Sequence, residues 1–67
     1  MRMVNMWVLT EHIEDIAKPL YAAFKYKALK VYVKAQGYHW FAPDLYARSQ
    51  EDYENGIYVT LQEVRVL

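Results

Sequence analysis

"FKYKALKVYVKAQGYHW", residues 24–40, fits two periods at once, and the architecture turns on which of them holds. Taken in steps of two, Leu29, Val31, Val33 and Ala35 fall on one side and Lys30, Tyr32 and Lys34 on the other. That is the pattern of a half-buried strand whose Lys–Tyr–Lys face suits a nucleic acid. On a helical wheel, Phe24, Ala28, Val31, Tyr32 and Ala35 gather on one side, and Lys27, Lys30 and Lys34 on another. Gly37 stands where a left-handed helix C-cap belongs, and Lys34 in the last turn favours the helix dipole. Ala28, Ala35 and the lysines are good helix formers, whereas Val31, Tyr32 and Val33 are not. We read residues 25–36 as a helix, with a strand as the alternative.

The helical reading expects Val31 and Ala35 to face a sheet. Tyr26, Leu29 and Val33 then lie on the far side, so the apolar arc exceeds the roughly 100° needed to pack on one sheet. Either residues 38–55 wrap round and cover that side, or another protein does.

The flanks read more simply. Residues 2–10, "RMVNMWVLT", are strand formers with apolar residues on both faces, which suits a central strand. "EHIED", 11–15, reads as a polar turn, and 18–24, "KPLYAAF", as a second strand that completes a hairpin, with Pro19 at its start. "GIYVTLQEVRVL", 56–67, alternates clearly, with a slip of phase at Glu63 that suggests a bulge. Residues 38–56 leave two readings open. Pro43 and Asp44 open a short helix closed by Asn55-Gly56, or Leu45, Ala47 and Ser49 begin a strand and "QEDYENG" is a hairpin loop. The expected fold is α+β: one domain over 1–67, an antiparallel sheet of three to four strands, and one helix across a face.

Sixty-seven residues sit near the size at which a single core barely suffices. The chain is 55% hydrophobic and holds seven Tyr, two Trp and two Phe, ample apolar surface for folding. With no cysteine it has no disulfide framework and no thiolate chemistry, which fits a cytoplasmic setting. No apolar run approaches the ~20 residues of a membrane span, and the N-terminal stretch lacks a small-residue cleavage site. Met1 is read as a natural start and the chain as a complete product.

Eight basic and eight acidic residues give zero net charge, which argues against a dedicated nucleic-acid binder. The charges are nevertheless uneven. Residues 1–36 carry six basic and three acidic groups, and residues 37–67 carry two and five. Only Gly37 and Gly56 are present, so there is no glycine-rich phosphate loop. His12 and His39 lack ligand-spaced companions, and "EHIED" reads as a solvated turn, so no metal and no cofactor are expected. The run Glu51, Asp52, Glu54 lacks the spacing of a calcium loop. Asp44 near His39 would make a base–orienter pair, but no nucleophile accompanies it. The chain is therefore expected not to be an enzyme.

Two binding readings remain. In the first, the chain is a small module that contacts another protein, or a second copy of itself, through Tyr26, Leu29, Val33, Tyr38, Trp40 and Tyr46, because aromatic anchors dominate interfaces. In the second, Lys25, Lys27, Lys30 and Lys34 with Tyr32 hold a nucleic acid. The order strand, strand, "ALKVYVKA" helix and closing "EVRVL" strand resembles very short phage-encoded proteins, one of which inhibits bacterial RNA polymerase. Phe24, Ala28, Leu29, Tyr32 and Tyr58 to Val66 carry the resemblance, and residues 38–55 depart from it as an insertion. It implies a phage accessory protein that binds and modulates a host protein in the bacterial cytoplasm, such as transcription or defence machinery.

Overall fold

A computed structural model describes residues 4–66, with side chains from 5 to 65. The expected strand start at Arg2 and Met3, and Leu67 at the other end, lie outside them. Five strands form one antiparallel sheet: β1 (Val4–Ile13), β2 (Ile16–Ala23), β3 (His39–Ala42), β4 (Leu45–Ala47) and β5 (Ile57–Val66). Two helices, α1 (Tyr26–Ala35) and α2 (Gln50–Glu54), complete the fold. The sheet order is β2-β1-β5-β4-β3. The class is α+β as expected, but the sheet has five strands where three to four were expected, and there are two helices where one was expected.

β1 is an interior strand between β2 and β5, as its two apolar faces suggest. It pairs with β5 without interruption from Val4↔Val66 to Ile13↔Ile57. No bulge marks Glu63. The phase slips there because Glu63 stands opposite Trp7, where the covered face gives way to solvent, and its carboxylate accepts a 3.1 Å hydrogen bond from Asn5. The irregularity lies instead between Leu9 and Thr10 against β2. Pro19 is there, inside an exposed edge strand rather than at its start, where a missing N–H costs least. The polar turn is also shorter than expected. Glu11, His12 and Ile13 belong to β1, and Glu14-Asp15 alone closes the hairpin.

The helix expected over residues 25–36 is present as Tyr26–Ala35, with Lys25 as its extended N-cap, and its end follows the sequence closely. Gly37 has φ +84°, its N–H donates to Lys34 O and the Tyr38 N–H donates to Val33 O. Both reverse bonds of a Schellman cap are thus present. The facing of the helix is inverted. Leu29 and Val33 are 0% and 2% exposed, whereas Val31 and Phe24 are 61% and 65% exposed. The core consists of Leu29 and Val33 against Leu9, Tyr46, Val59 and Leu61, with Trp7, Tyr26, Tyr32 and Tyr38 packed around it. The physical reason is volume. Tyr26, Leu29 and Val33 make a stripe with no alanine, whereas the opposite stripe includes Ala28 and Ala35, which lose little by exposure, and keeps only Tyr32 half-buried, stacked on Tyr21.

Residues 38–55 are neither of the two forms expected but parts of both. Pro43-Asp44 turns the β3–β4 hairpin, with Asp44 at φ +57°. Leu45–Ala47 is a strand, as one reading had it. α2 begins at Ser49, whose hydroxyl accepts from the Asp52 N–H at 3.0 Å, with Glu51 and Asp52 in the first turn where the helix dipole favours acids. Asn55-Gly56 follows α2. α2 and α1 lie on opposite faces of the sheet. Tyr53 of α2 stacks on Phe41 at 4.9 Å and tilts toward Tyr58 at 6.2 Å, and Tyr58 alternates with the core residues Val59 and Leu61.

Candidate functional site

α1 packs over β1 and β2, and its Leu29 and Val33 share a core with Tyr46 of β4, while His39 and Trp40 at the start of β3 stay exposed. An open groove of about 510 Å³ results. Lys30, Val33 and Lys34 of α1 make one flank, and Gly37 and Tyr38 close the end. His39 and Trp40 of β3 and Tyr46 of β4 make the other flank and the floor.

Two polar ties hold the walls apart at a fixed distance. At the start of α1 the Tyr26 hydroxyl donates to Asp44 Oδ1 at 2.7 Å. Beyond its end the Arg48 Nε–H donates to Gln36 O at 3.1 Å. The Arg48 guanidinium also lies 4.5 Å from the Tyr38 ring centroid, a cation–π contact that positions the closed end. Burial pushes the Tyr38 phenol up, and Arg48 opposes the shift. The Tyr26 phenol is pushed up to about 12, first by its hydrogen bond to Asp44, then by burial and by the Asp44 charge.

The structure sorts the residues singled out in the sequence. Tyr38 and Trp40 line the groove, and Trp40 is 63% exposed. Leu29 is wholly core and offers nothing to a partner, because the sheet covers the stripe expected to face away. Val33 and Tyr46 are buried and present only the groove's floor and wall. Tyr26 is partly buried, 4.5 Å from the Trp7 ring, and acts as a strut.

The nucleic-acid set is dispersed by the helix. Lys30 and Lys34 reach the groove, but Lys25 is the N-cap of α1 and Lys27 does not line it. Tyr32 stacks on Tyr21 at 4.6 Å, so the flat Lys30–Tyr32–Lys34 face of the strand reading does not exist. Residues of both binding sets, Lys30 and Lys34 from one and Val33, Tyr38, Trp40 and Tyr46 from the other, meet in one place. Arg48 was not singled out in the sequence. Its role depends on a contact across 12 positions with the Gln36 carbonyl, which no local pattern reveals.

Among the described residues, no group of three or more His, Asp or Glu side chains is gathered. His12 stacks on Tyr58 at 4.8 Å and its Nε2 lies 2.9 Å from Thr60 Oγ1, on the sheet face away from α1. Asp44 is engaged by Tyr26, and no hydrogen bond among the described residues joins it to His39. No helix among them is long and apolar enough to cross a membrane. Compared with family models, with curated proteins and with solved structures, the chain finds no match.

Proposed function

We propose that this chain is a small, non-enzymatic protein-binding module whose contact surface is the groove between α1 and the β3–β4 hairpin. The observation that supports this most is Trp40, a large aromatic left 63% exposed at the rim of a preformed groove. Covering such a side chain removes much apolar area from water, and Trp is among the commonest interface anchors. The groove lies within the ~300–1,000 Å³ range of binding sites. The resemblance to very short phage proteins points to a host protein as the partner and to modulation or inhibition as the outcome.

The test is affinity capture from bacterial lysate, with quantitative mass spectrometry and nuclease-treated controls. The tagged chain should retain a partner that is lost with Trp40→Ala, while circular dichroism of that variant stays unchanged. Capture that persists in Trp40→Ala would remove the groove from the reading. Capture that vanishes on nuclease treatment would favour the nucleic-acid alternative.

A further inference from the structure

We infer that the groove takes an extended acidic segment of the partner protein, with one bulky apolar side chain set between two carboxylates. This rests on the reading of the groove as a protein-binding site and states what fills it.

Charge selects the sign of the ligand. Lys30 and Lys34 stand on one flank, and no Asp or Glu lines the groove. No hydrogen bond among the described residues uses either ammonium. Lys30 Nζ rests 5.7 Å from the Tyr26 ring centroid. Asp44, which accepts from the hydroxyl of the same Tyr26, does not line the groove. An incoming carboxylate therefore meets two cations that no hydrogen bond among the described residues engages.

Spacing selects the conformation of the ligand. Lys30 and Lys34 are one helical turn apart, about 6 Å along the axis. Alternate residues of an extended chain are separated by about 6.6 Å and point the same way. Two acids at alternate positions therefore match the two lysines. The residue between them points in the opposite direction, toward Trp40 and Tyr46. The flank from Lys30 to Gly37 is about 10 Å long, room for about three extended residues.

Two other occupants fit less well. The chain's own Asp52-Tyr53-Glu54 has the required composition, but in α2 the side chains of residues two apart diverge, and Tyr53 is stacked on Phe41. A second copy would have to unwind α2 to fill the groove. A nucleic acid would find only two lysines there, against the 6–10 phosphate contacts of a typical salt-dependent binder, on a chain of zero net charge.

The test is selection of a displayed library of random twelve-residue peptides against the intact chain. Fluorescence anisotropy of the selected peptides and backbone amide NMR shifts would follow, with size-exclusion light scattering of the free chain. Selected peptides should share an acid–bulky apolar–acid core and shift the amides around Val33, Gly37 and Trp40. They should bind Lys30→Glu/Lys34→Glu at least about tenfold more weakly. Both lysines are exposed, so this variant keeps the fold. Binding lost with Trp40→Ala but indifferent to the charge reversal, or peptides without the acidic pair, would overturn the acidic occupant and leave the binding site standing. Absence of enrichment, or shifts away from the groove, would overturn both. A dimer that loses its contacts on Lys30→Glu/Lys34→Glu would overturn the proposal in favour of a second copy. Tighter binding of a labelled oligothymidine than of any peptide would overturn it in favour of nucleic acid.

Discussion

The Tyr26 hydroxyl donates a 2.7 Å hydrogen bond to the Asp44 carboxylate, joining the first turn of α1 to the turn of the β3–β4 hairpin. The pair spans 18 positions of sequence. It brings together two elements that share no backbone hydrogen bonds and between which the groove opens.

Tyr26→Phe should therefore cost roughly 1.5–3 kcal/mol in urea unfolding at neutral pH, since a hydrogen bond to a charged acceptor is lost while the ring remains. The dependence on pH follows from the raised phenol. Its folded value, about 12, lies above the unfolded value of about 10. Its contribution is complete below the unfolded value and is lost as the pH rises through the folded one. The stability gap between wild type and Tyr26→Phe should narrow between pH ~10 and ~12. An unchanged gap across that interval, together with an unchanged phenolate absorbance titration, would remove the bond from solution.

Leu29 and Val31 test the facing of α1. Leu29→Ala should destabilise by about 2–5 kcal/mol, because it opens a cavity among Leu9, Val33 and Val59. Val31→Ala, on the exposed side, should stay within about 0.5 kcal/mol. Chemical denaturation of the two variants decides the matter, and a reversed order would place α1 with its other stripe on the sheet.

Glu14 carries a strain that the hairpin can shed. Its φ is +56° at the first position of a two-residue turn, and its N–H donates to Gly56 O at 3.0 Å. A residue with a Cβ pays about 1–2 kcal/mol in this region, and glycine does not. Glu14→Gly should raise the melting temperature by a few degrees, of the order expected for about 1 kcal/mol in a domain this small. A fall in melting temperature would mean that the Glu14 side chain contributes more than its backbone costs.

Gly56, at φ +77°, should behave oppositely. A Cβ there would meet Glu14 Cα at 3.5 Å, an ordinary contact, so the cost of Gly56→Ala is conformational rather than steric. A loss of about 1 kcal/mol in thermal unfolding is expected. A neutral result would show that the turn relaxes.

Local pattern was enough to show where α1 runs and how it stops. The 3.6 period over residues 25–36, the lysine flank and Gly37 are local features, and the Schellman bonds at Gly37 and Tyr38 realise them within five residues. The alternation of Ile57, Val59 and Leu61 and the two apolar faces of β1 were legible for the same reason. Which side of α1 is buried was not. Both sides are apolar, and a period gives angular spacing without saying where the neighbour stands. The tertiary structure decided it when β1, β5 and β4 brought Leu9, Val59, Leu61 and Tyr46 against Leu29 and Val33. The candidate groove was legible only as two separate residue sets. Its walls come from elements distant in sequence, and its ends are fixed by Tyr26–Asp44 and Gln36–Arg48, contacts across 18 and 12 positions. Short-range patterns carry the cost of local turns and caps, whereas the volume to be filled beneath a helix exists only once non-adjacent strands have met.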